Sequence, residues 1–196
     1  MSRGILSTAE SRRPVVAAAA VREFAGGGFH GTTIADVARA AKISPAYVSK
    51  LFPTKEKLFV AALDTCFDLV LDALENAAES AASTAPDAAP DAAPDAAPDA
   101  VLDAMGAAYA KLIGDRTLLL MQVHAQSVAD VPEIGAALRA GLKRMVDLAK
   151  TRSGAPDEKV QEFMARGQLC HLLVTAGVTE VSESWARLLD AGFRHP

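Results

Sequence analysis

Hydroxyl, aromatic and basic side chains recur between residues 32 and 55 at the spacing of two short helices joined by a tight turn. Hydroxyl groups, lysine ammonium groups and the backbone N–H groups at helix starts are the protein groups that bind phosphates. The polar face of a short helix can in addition reach the edges of DNA bases in the major groove. This combination predicts a surface that binds double-stranded DNA.

The first of these helices has its start signal at Thr33, because Thr33 and Asp36 form a capping-box-like pair. The apolar residues that follow at helical spacing are Ile34, Val37, Ala38 and Ala41. Residues 41–43 are predicted to form the turn that follows this helix.

Ser44 followed by Pro45 predicts the start of the second helix, since serine caps a helix and proline belongs at its first position. We expect this helix to end at about Leu51. Its packing face is predicted to contain Ala46, Val48, Leu51 and Phe52, and its outward face Pro45, Tyr47, Ser49 and Lys50. Two such helices form a helix-turn-helix, whose second helix enters the DNA major groove.

The same stretch resembles the signature of the TetR family of transcriptional regulators. The matching residues are Gly28-Phe29, Gly31-Thr32-Thr33, Val37-Ala38, Ala41, Ile43-Ser44, Phe52, Lys55-Glu56 and Leu58. Two residues depart from the family pattern, because Lys42 replaces the usual turn glycine and Ser49 replaces a phosphate-contacting tyrosine. The resemblance implies an all-α protein with an amino-terminal three-helix helix-turn-helix DNA-binding domain on a carboxy-terminal helical domain for ligand binding and dimerisation.

The DNA-binding residues are assigned by their place in this motif. Thr32 and Thr33, at the start of its first helix, and Lys55, at the start of the next long helix, are predicted to contact phosphates. The base-reading face is predicted to contain Pro45, Ala46, Tyr47 and Lys50, with Ser44 fixing the helix. Ala46 therefore carries two assignments, one to the packing face and one to the DNA-facing surface.

The charge distribution supports a DNA-facing amino terminus. Residues 1–57 hold nine Lys or Arg against four Asp or Glu, a balance of +5, although the 196-residue chain carries −4 overall. The remaining residues therefore carry −9. A basic module on an acidic body fits a protein that meets phosphates at one end. We accordingly assign residues 1–57 to a DNA-binding domain and residues 58–196 to a ligand-binding and dimerisation domain.

Other classes of protein find little support in the sequence. Cys66 and Cys170 are too few for a disulfide framework or a zinc site, and we expect buried reduced thiols in a cytoplasmic protein. No apolar run approaches the length of a membrane span. The sequence contains neither a G-x-S-x-G nor an H-E-x-x-H motif and its four histidines are scattered, so we expect no enzyme, metal site or cofactor.

Helical patterns account for most of the remaining chain. A first helix is predicted from about Ser11 or Pro14 to Ala25, ended by the glycines at 26–28. A long helix is predicted to start at Thr54. Later helices are predicted over residues 101–113, 116–128, 132–151, 157–178 and 182–193.

Residues 85–100 are four copies of Ala-Pro-Asp-Ala. Proline at every fourth residue removes a helical hydrogen bond per turn and clashes with the preceding turn. The repeat is therefore predicted to be a semi-extended linker without regular helix.

The TetR resemblance implies a pocket for a small apolar ligand among the middle helices and a dimer interface on the last two. Candidate pocket residues are Met105, Tyr109, Met121, Gln122, His124, Gln126, Gln168 and His171. Candidate dimer residues are Phe163, Gly167, Val174, Trp185 and Leu189. The alternative in both cases is an ordinary intrachain core, in which such residues only pack or form structural hydrogen bonds.

Together these features predict a one-component transcriptional repressor that binds a palindromic operator as a homodimer and is released by a small apolar ligand. The alternative is a helical adaptor whose DNA-binding module has lost operator binding. Lys42 and Ser49, the two departures from the family pattern, keep that alternative open.

Overall fold

The computed structural model describes residues 8–84 and 96–192, and over those ranges the regular structure is helical without a strand. The helices are α1 (Thr8–Gly31), α2 (Ile34–Ala40), α3 (Pro45–Leu51), α4 (Lys55–Thr84), α5 (Ala96–Ile113), α6 (Thr117–Ser127), α7 (Pro132–Ser153), α8 (Asp157–Thr175) and α9 (Ser184–Asp190). A short 3-10 helix at Val178–Glu180 separates α8 from α9. The predicted all-α fold is confirmed.

The first helix begins earlier and runs further than predicted, but its interruption lies within the glycines at 26–28 that were predicted to end it. Helical structure begins at Thr8, with Pro14 inside it, and reaches Gly31. The interruption falls at Gly28 alone, which has φ 66° and ψ −178°. Because an α-helix accommodates glycine at a modest cost, the glycines before Gly28 continue the helix instead of ending it.

The prediction for the last copy of the repeat is also wrong. Helix α5 begins at Ala96, so Pro98 lies in its first turn. The first four N–H groups of a helix have no intrahelical partner, and a proline there costs no hydrogen bond. The remainder of the repeat, residues 85–95, lies outside the described part of the chain.

Two compact units divide the chain. The first comprises the described residues up to Asp68 together with Thr117–Gly141, and the second comprises Leu69–Arg116 with the described residues from Leu142 onward. Helix α6 therefore belongs to the same unit as the helix-turn-helix, whereas the domain division at residue 57 was drawn from sequence order alone. That division remains a prediction.

The core of the first unit is aromatic. The Phe59 ring of α4 lies 4.8 Å from the Phe24 ring and 5.4 Å from the Phe29 ring, centroid to centroid, both edge to face. The Cys66 thiol contacts the Leu118 carbonyl oxygen of α6 at 3.4 Å. Burial raises the pKa of the Cys66 thiol to about 12, so it is a packed thiol as predicted.

The second unit closes its carboxy-terminal end with a small apolar cluster. Leu173 of α8, Val178 of the 3-10 helix and Ala186 of α9 are buried together. The partly buried residues packed on them are Leu169, Val181 and Leu189. This cluster fixes α9 against the end of α8. Across the described residues, no helix is both long enough and apolar enough to span a bilayer.

Candidate nucleic-acid interface and ligand cavity

The start of α2 is a complete capping box. The Asp36 N–H donates to Thr33 Oγ1 at 3.2 Å, and the Thr33 N–H donates to Asp36 Oδ2 at 3.0 Å. Arg39 also donates to Asp36 Oδ1, at 2.8 Å. The Thr33 hydrogen bonds, and secondarily Arg39, hold the pKa of the Asp36 carboxyl below its usual value. The exposed start of α2 is thereby held in one geometry.

Thr32 is turned into the fold. Its side chain is 3% exposed, and its hydroxyl donates to the Glu23 carbonyl oxygen of α1 at 3.0 Å. A Cβ at Gly27 would lie 2.6 Å from Thr32 Oγ1, so only glycine leaves room for this bond. The Thr32 hydroxyl is therefore unavailable for the phosphate contact that the sequence suggested, whereas Thr33 is exposed.

The turn of the motif uses a non-glycine residue in a left-handed conformation. Lys42 has φ 56°, at the position where the family pattern has glycine. Its N–H donates to the Arg39 carbonyl at 3.1 Å, and the Ile43 N–H donates to the Ala38 carbonyl at 3.0 Å. Lys42 thus has the positive φ that glycine adopts freely, and for a residue with a Cβ this conformation costs about 1–2 kcal/mol.

Helix α3 has the predicted limits and cap. The Tyr47 N–H donates to Ser44 Oγ at 3.2 Å, and Pro45 is the first helical residue. The buried residues at this helix are Val48, Leu51 and Phe52, and the exposed ones are Pro45, Ala46, Ser49 and Lys50, with Tyr47 half-buried. Ala46 therefore does not belong to the packing face. Pro45, Ala46, Tyr47 and Lys50 together form an outward surface, called here the recognition face.

The start of α4 brings a lysine beside an aromatic ring. The Lys57 N–H donates to Thr54 Oγ1 at 3.2 Å, which confirms Thr54 as the cap. The Lys55 ammonium nitrogen lies 4.7 Å from the centroid of the Phe29 ring. This cation–π contact restrains Lys55 at the helix start, where backbone N–H groups already favour an anion.

A second cation lies on a ring of the same motif. The Arg13 guanidinium carbon is 4.9 Å from the centroid of the Phe52 ring. Arg13 is one of the nine basic residues counted in residues 1–57, and the sequence predicted no partner for it. Since Arg13 and Phe52 are far apart in sequence, no local pattern could have paired them.

Helix α6 contacts the break in α1. A Cβ at Gly28 would lie 3.0 Å from His124 Nδ1. His124 was predicted to contact a ligand, but it belongs to the first compact unit, as do Met121, Gln122 and Gln126 of the same helix. Met121 and Gln122 are buried there.

A cavity of about 560 Å³ lies in the second unit between α5 and α8. Of the predicted ligand residues, Tyr109 and Gln168 line it. Phe163 and Gly167, predicted for the dimer interface, line it as well, and so does Met145 of α7. Met105 is fully buried and is not among the residues lining it.

Tyr109, which lines the cavity, is hydrogen-bonded to His171. The Tyr109 hydroxyl and His171 Nε2 share a hydrogen bond, with ring centroids 5.9 Å apart, and both side chains are buried. Burial lowers the pKa of His171 from 6.5 to about 4, so the imidazole is neutral near pH 7. Within the described residues, His171 Nδ1 has no hydrogen-bond partner.

The last helices expose apolar side chains. Leu172 of α8 is 55% exposed, and Trp185 and Leu188 of α9 are 49% and 73% exposed. Of the other predicted dimer residues, Val174 and Leu189 are half-buried. Leu172 and Leu188 were not among the predicted dimer residues, although a helical-face projection of α8 and α9 would have placed them outward.

Comparisons with known proteins agree with this geometry. Residues 16–62 match the sequence model for bacterial regulatory proteins of the tetR family. No curated protein sequence is significantly similar to the chain.

Solved structures share the fold over nearly the whole chain. A transcriptional regulator from Pseudomonas aeruginosa PAO1 has a TM-score of 0.63 and 16% identity, covering 93% of this chain and 88% of its own. A protein described as a TetR-family regulator from Mesorhizobium loti MAFF303099 has a TM-score of 0.61 and 20% identity, covering 93% and 92%. The regulator FadR from Bacillus subtilis, solved with stearoyl-CoA, has a TM-score of 0.63 and 15% identity, covering 92% and 99%.

The matched segment begins in α1, spans α2 and α3 and ends in α4, which are the elements that build the recognition face. The all-helical fold extends the likeness to the rest of the chain. The helix-turn-helix segment thus matches the model of the tetR family, and the helical fold of the chain is similar to that of solved transcriptional regulators.

Proposed function

We propose that this chain is a transcriptional repressor of the TetR family that binds a palindromic operator as a homodimer in the cytoplasm and is released by a small ligand. The recognition face carries the proposal. Ser44 caps α3 and Pro45 starts it, so Ala46, Tyr47 and Lys50 project from a rigid helix that packs through Val48 and Leu51. Such a helix fits the major groove with its first residues toward base edges.

The phosphate contacts are proposed to come from the ends of neighbouring helices. Thr33 is exposed at the start of α2, and Lys55 lies at the start of α4. Both helix starts present N–H groups and the positive end of a helix dipole. Arg13, stacked on Phe52, is a further cation of the same module. These groups would position the module without selecting a sequence.

The homodimer is supported by the apolar side chains exposed on the last two helices. Leu172 of α8 and Trp185 and Leu188 of α9 expose large apolar side chains to solvent, which favours a surface that another protein chain covers. Trp185 also donates from Nε1 to Glu183 Oε2 at 3.1 Å, which fixes its ring. A twofold pair would bury these residues and present two recognition faces to two half-sites.

The ligand-responsive part rests on the cavity of the second unit. Its volume of about 560 Å³ suits a small organic molecule. The structurally similar FadR was solved with stearoyl-CoA, which supports the same general use of this fold. A ligand that binds better to a conformation unable to hold DNA would release the operator, by a coupling that acts equally in both directions.

The experiment is selection of bound sequences from a random double-stranded DNA pool, followed by affinity measurements over a range of salt concentrations. We expect enrichment of a palindrome with two half-sites, and a protein–DNA stoichiometry of two chains per site. Sedimentation of the free protein tests the dimer independently. A selection with no sequence enriched above non-specific binding would overturn the repressor proposal in favour of an adaptor.

A further inference from the structure

Glycine and aromatic residues face each other reciprocally across the cavity between α5 and α8. A Cβ on Gly106 of α5 would lie 4.0 Å from Phe163 Cε2 of α8, and a Cβ on Gly167 of α8 would lie 3.9 Å from Tyr109 Cε1 of α5. All four residues line the cavity. Each ring therefore lies close to the bare backbone of the opposite helix, at a distance where an added Cβ would already be in van der Waals contact with the ring.

Besides its charged residues, the cavity has further lining residues that are small or apolar. The residues concerned are Leu102, Ala107, Ala110, Met145 and Met164. Alanine adds little bulk, and methionine packs favourably against aromatic rings. Each of the two helices thus contributes one aromatic ring to the cavity wall, with apolar residues beside it in the lining.

Tyr109 is held in place from behind. Its hydroxyl is hydrogen-bonded to His171, which is itself buried and neutral. The tyrosine ring is thereby fixed without placing a positive charge at the cavity wall. A fixed ring loses little conformational freedom when a second ring packs on it, which favours binding.

Four of the charged residues that line the cavity form two ion pairs. The Lys159 ammonium lies 3.2 Å from Asp99, and the Arg166 guanidinium lies 3.7 Å from Glu162. A third carboxylate of the lining, Asp103, is exposed to solvent. An ionised ligand would have to compete with these existing pairs, whereas a neutral ligand would not.

From the paired glycines and rings we propose that the cavity between α5 and α8 binds a planar, uncharged aromatic molecule. The ring system of this ligand would lie against Tyr109 and Phe163. This inference rests on the ligand-responsive function proposed above. Aromatic side chains favour offset or edge-to-face contact with a flat ligand over contact with a saturated one of equal size.

The test uses the full chain without DNA and titration calorimetry with three probes. The planar neutral probe is 2-naphthol, its non-planar match is decahydro-2-naphthol, and its charged match is 2-naphthoate. We expect 2-naphthol to bind about three- to tenfold more tightly than the saturated alcohol, the increment that aromatic pairs contribute. We expect 2-naphthoate to bind more weakly than 2-naphthol.

Two variants locate the binding. Gly167→Ala places a methyl group at ordinary contact distance from the Tyr109 ring, so it fills the space without forcing the helices apart. It should weaken 2-naphthol binding about tenfold or more, as one methyl-sized loss of fit does. Gly26→Ala is the matched control, since a Cβ there meets nothing within 4 Å and it lies in α1. Phe163→Leu keeps an apolar side chain and should abolish the preference for the planar alcohol.

Equal affinity for the planar and saturated alcohols, tighter binding of 2-naphthoate, or no binding of any probe would overturn the proposed ligand class. So would unchanged binding in Gly167→Ala. The operator selection is independent of these titrations, so failure of the ligand class leaves the repressor proposal standing. Conversely, 2-naphthol that binds but leaves operator affinity unchanged would support the ligand class and reject release by that ligand.

Discussion

Ser44 Oγ accepts the N–H of Tyr47 at 3.2 Å, so the residue that caps α3 is bonded directly to the residue that carries its largest outward side chain. Capping and recognition therefore depend on one another at this helix. A change at Ser44 is expected to alter both the stability of α3 and the position of the Tyr47 ring.

Ser44→Ala removes this bond and should lower the free energy of unfolding by about 1 kcal/mol, the usual value of an N-terminal cap. Operator affinity should fall as well, because α3 then frays at its DNA-facing end. Thermal denaturation and operator titration measure the two effects. Ser49→Ala, at an exposed site within α3, is the control and should leave stability nearly unchanged. Equal behaviour of the two variants would contradict the capping role.

Lys55→Ala should weaken binding to specific and non-specific DNA alike, and it should reduce the slope of log affinity against log salt by about 1. The reason is the loss of the phosphate contact proposed for Lys55 at the start of α4. Lys143→Ala, which removes the same charge from an exposed ion pair with Asp147 on α7, should change neither quantity. An unaltered salt slope in Lys55→Ala would remove Lys55 from the interface.

Tyr47→Ala should change which operator sequences are preferred while leaving the salt slope as it is, because a base-facing ring carries sequence information and no charge. Tyr47→Phe separates the hydroxyl from the ring. Repeating the sequence selection with each variant provides the measurement. Identical selected sequences for all three proteins would place Tyr47 outside the base-reading surface.

Gly28→Ala should destabilise the first unit by about 1–3 kcal/mol from the backbone conformation alone, because φ 66° with ψ −178° is a combination essentially restricted to glycine. The residue has φ 66°, and its new methyl group would meet His124 Nδ1 at 3.0 Å. Adding His124→Ala should relieve the steric part but not the conformational part, which a double-mutant cycle in chemical denaturation resolves. Gly26→Ala has open space and no unusual φ, so it should be neutral or stabilising. Strict additivity of the two changes would show that Gly28 and His124 are not coupled.

Stability should fall as pH drops from about 6.5 towards 4 because of His171. Its folded pKa is lowered by burial from 6.5 to about 4, so the unfolded chain binds more protons in that window. The contribution of the neutral His171 to stability is complete above about pH 6.5 and is lost as the pH falls towards 4. His171→Gln cannot titrate and should flatten the dependence, measured by urea unfolding at several pH values. The control His30→Gln, at an exposed site, should retain the wild-type slope.

Local features of the sequence predicted the helix-turn-helix closely. The Thr33–Asp36 capping box, the Ser44–Pro45 start and the Thr54 cap are all short-range signals, and each is present in the structure. The cap of a helix depends on residues within four positions of one another, so a single sequence contains the needed information.

Contacts between distant segments could not be predicted in this way. The bond between Tyr109 and His171 joins residues 62 positions apart, and the Thr32 hydroxyl turns inward to a carbonyl of the preceding helix. Predicted pocket residues of α6 pack in the other compact unit. Which face of an amphipathic helix meets which neighbour is decided by tertiary packing, and hydrophobic spacing does not specify the partner.

The position of Pro98 in the first turn of α5 has a consequence for how this gene can change. Every copy of Ala-Pro-Asp-Ala supplies the same proline and the same acidic residue to whatever helix follows it. Loss or duplication of one whole four-residue copy therefore leaves the residues at the start of α5 unchanged. Tandem-repeat variation here can alter the spacing between α4 and α5 while the helix start is inherited intact.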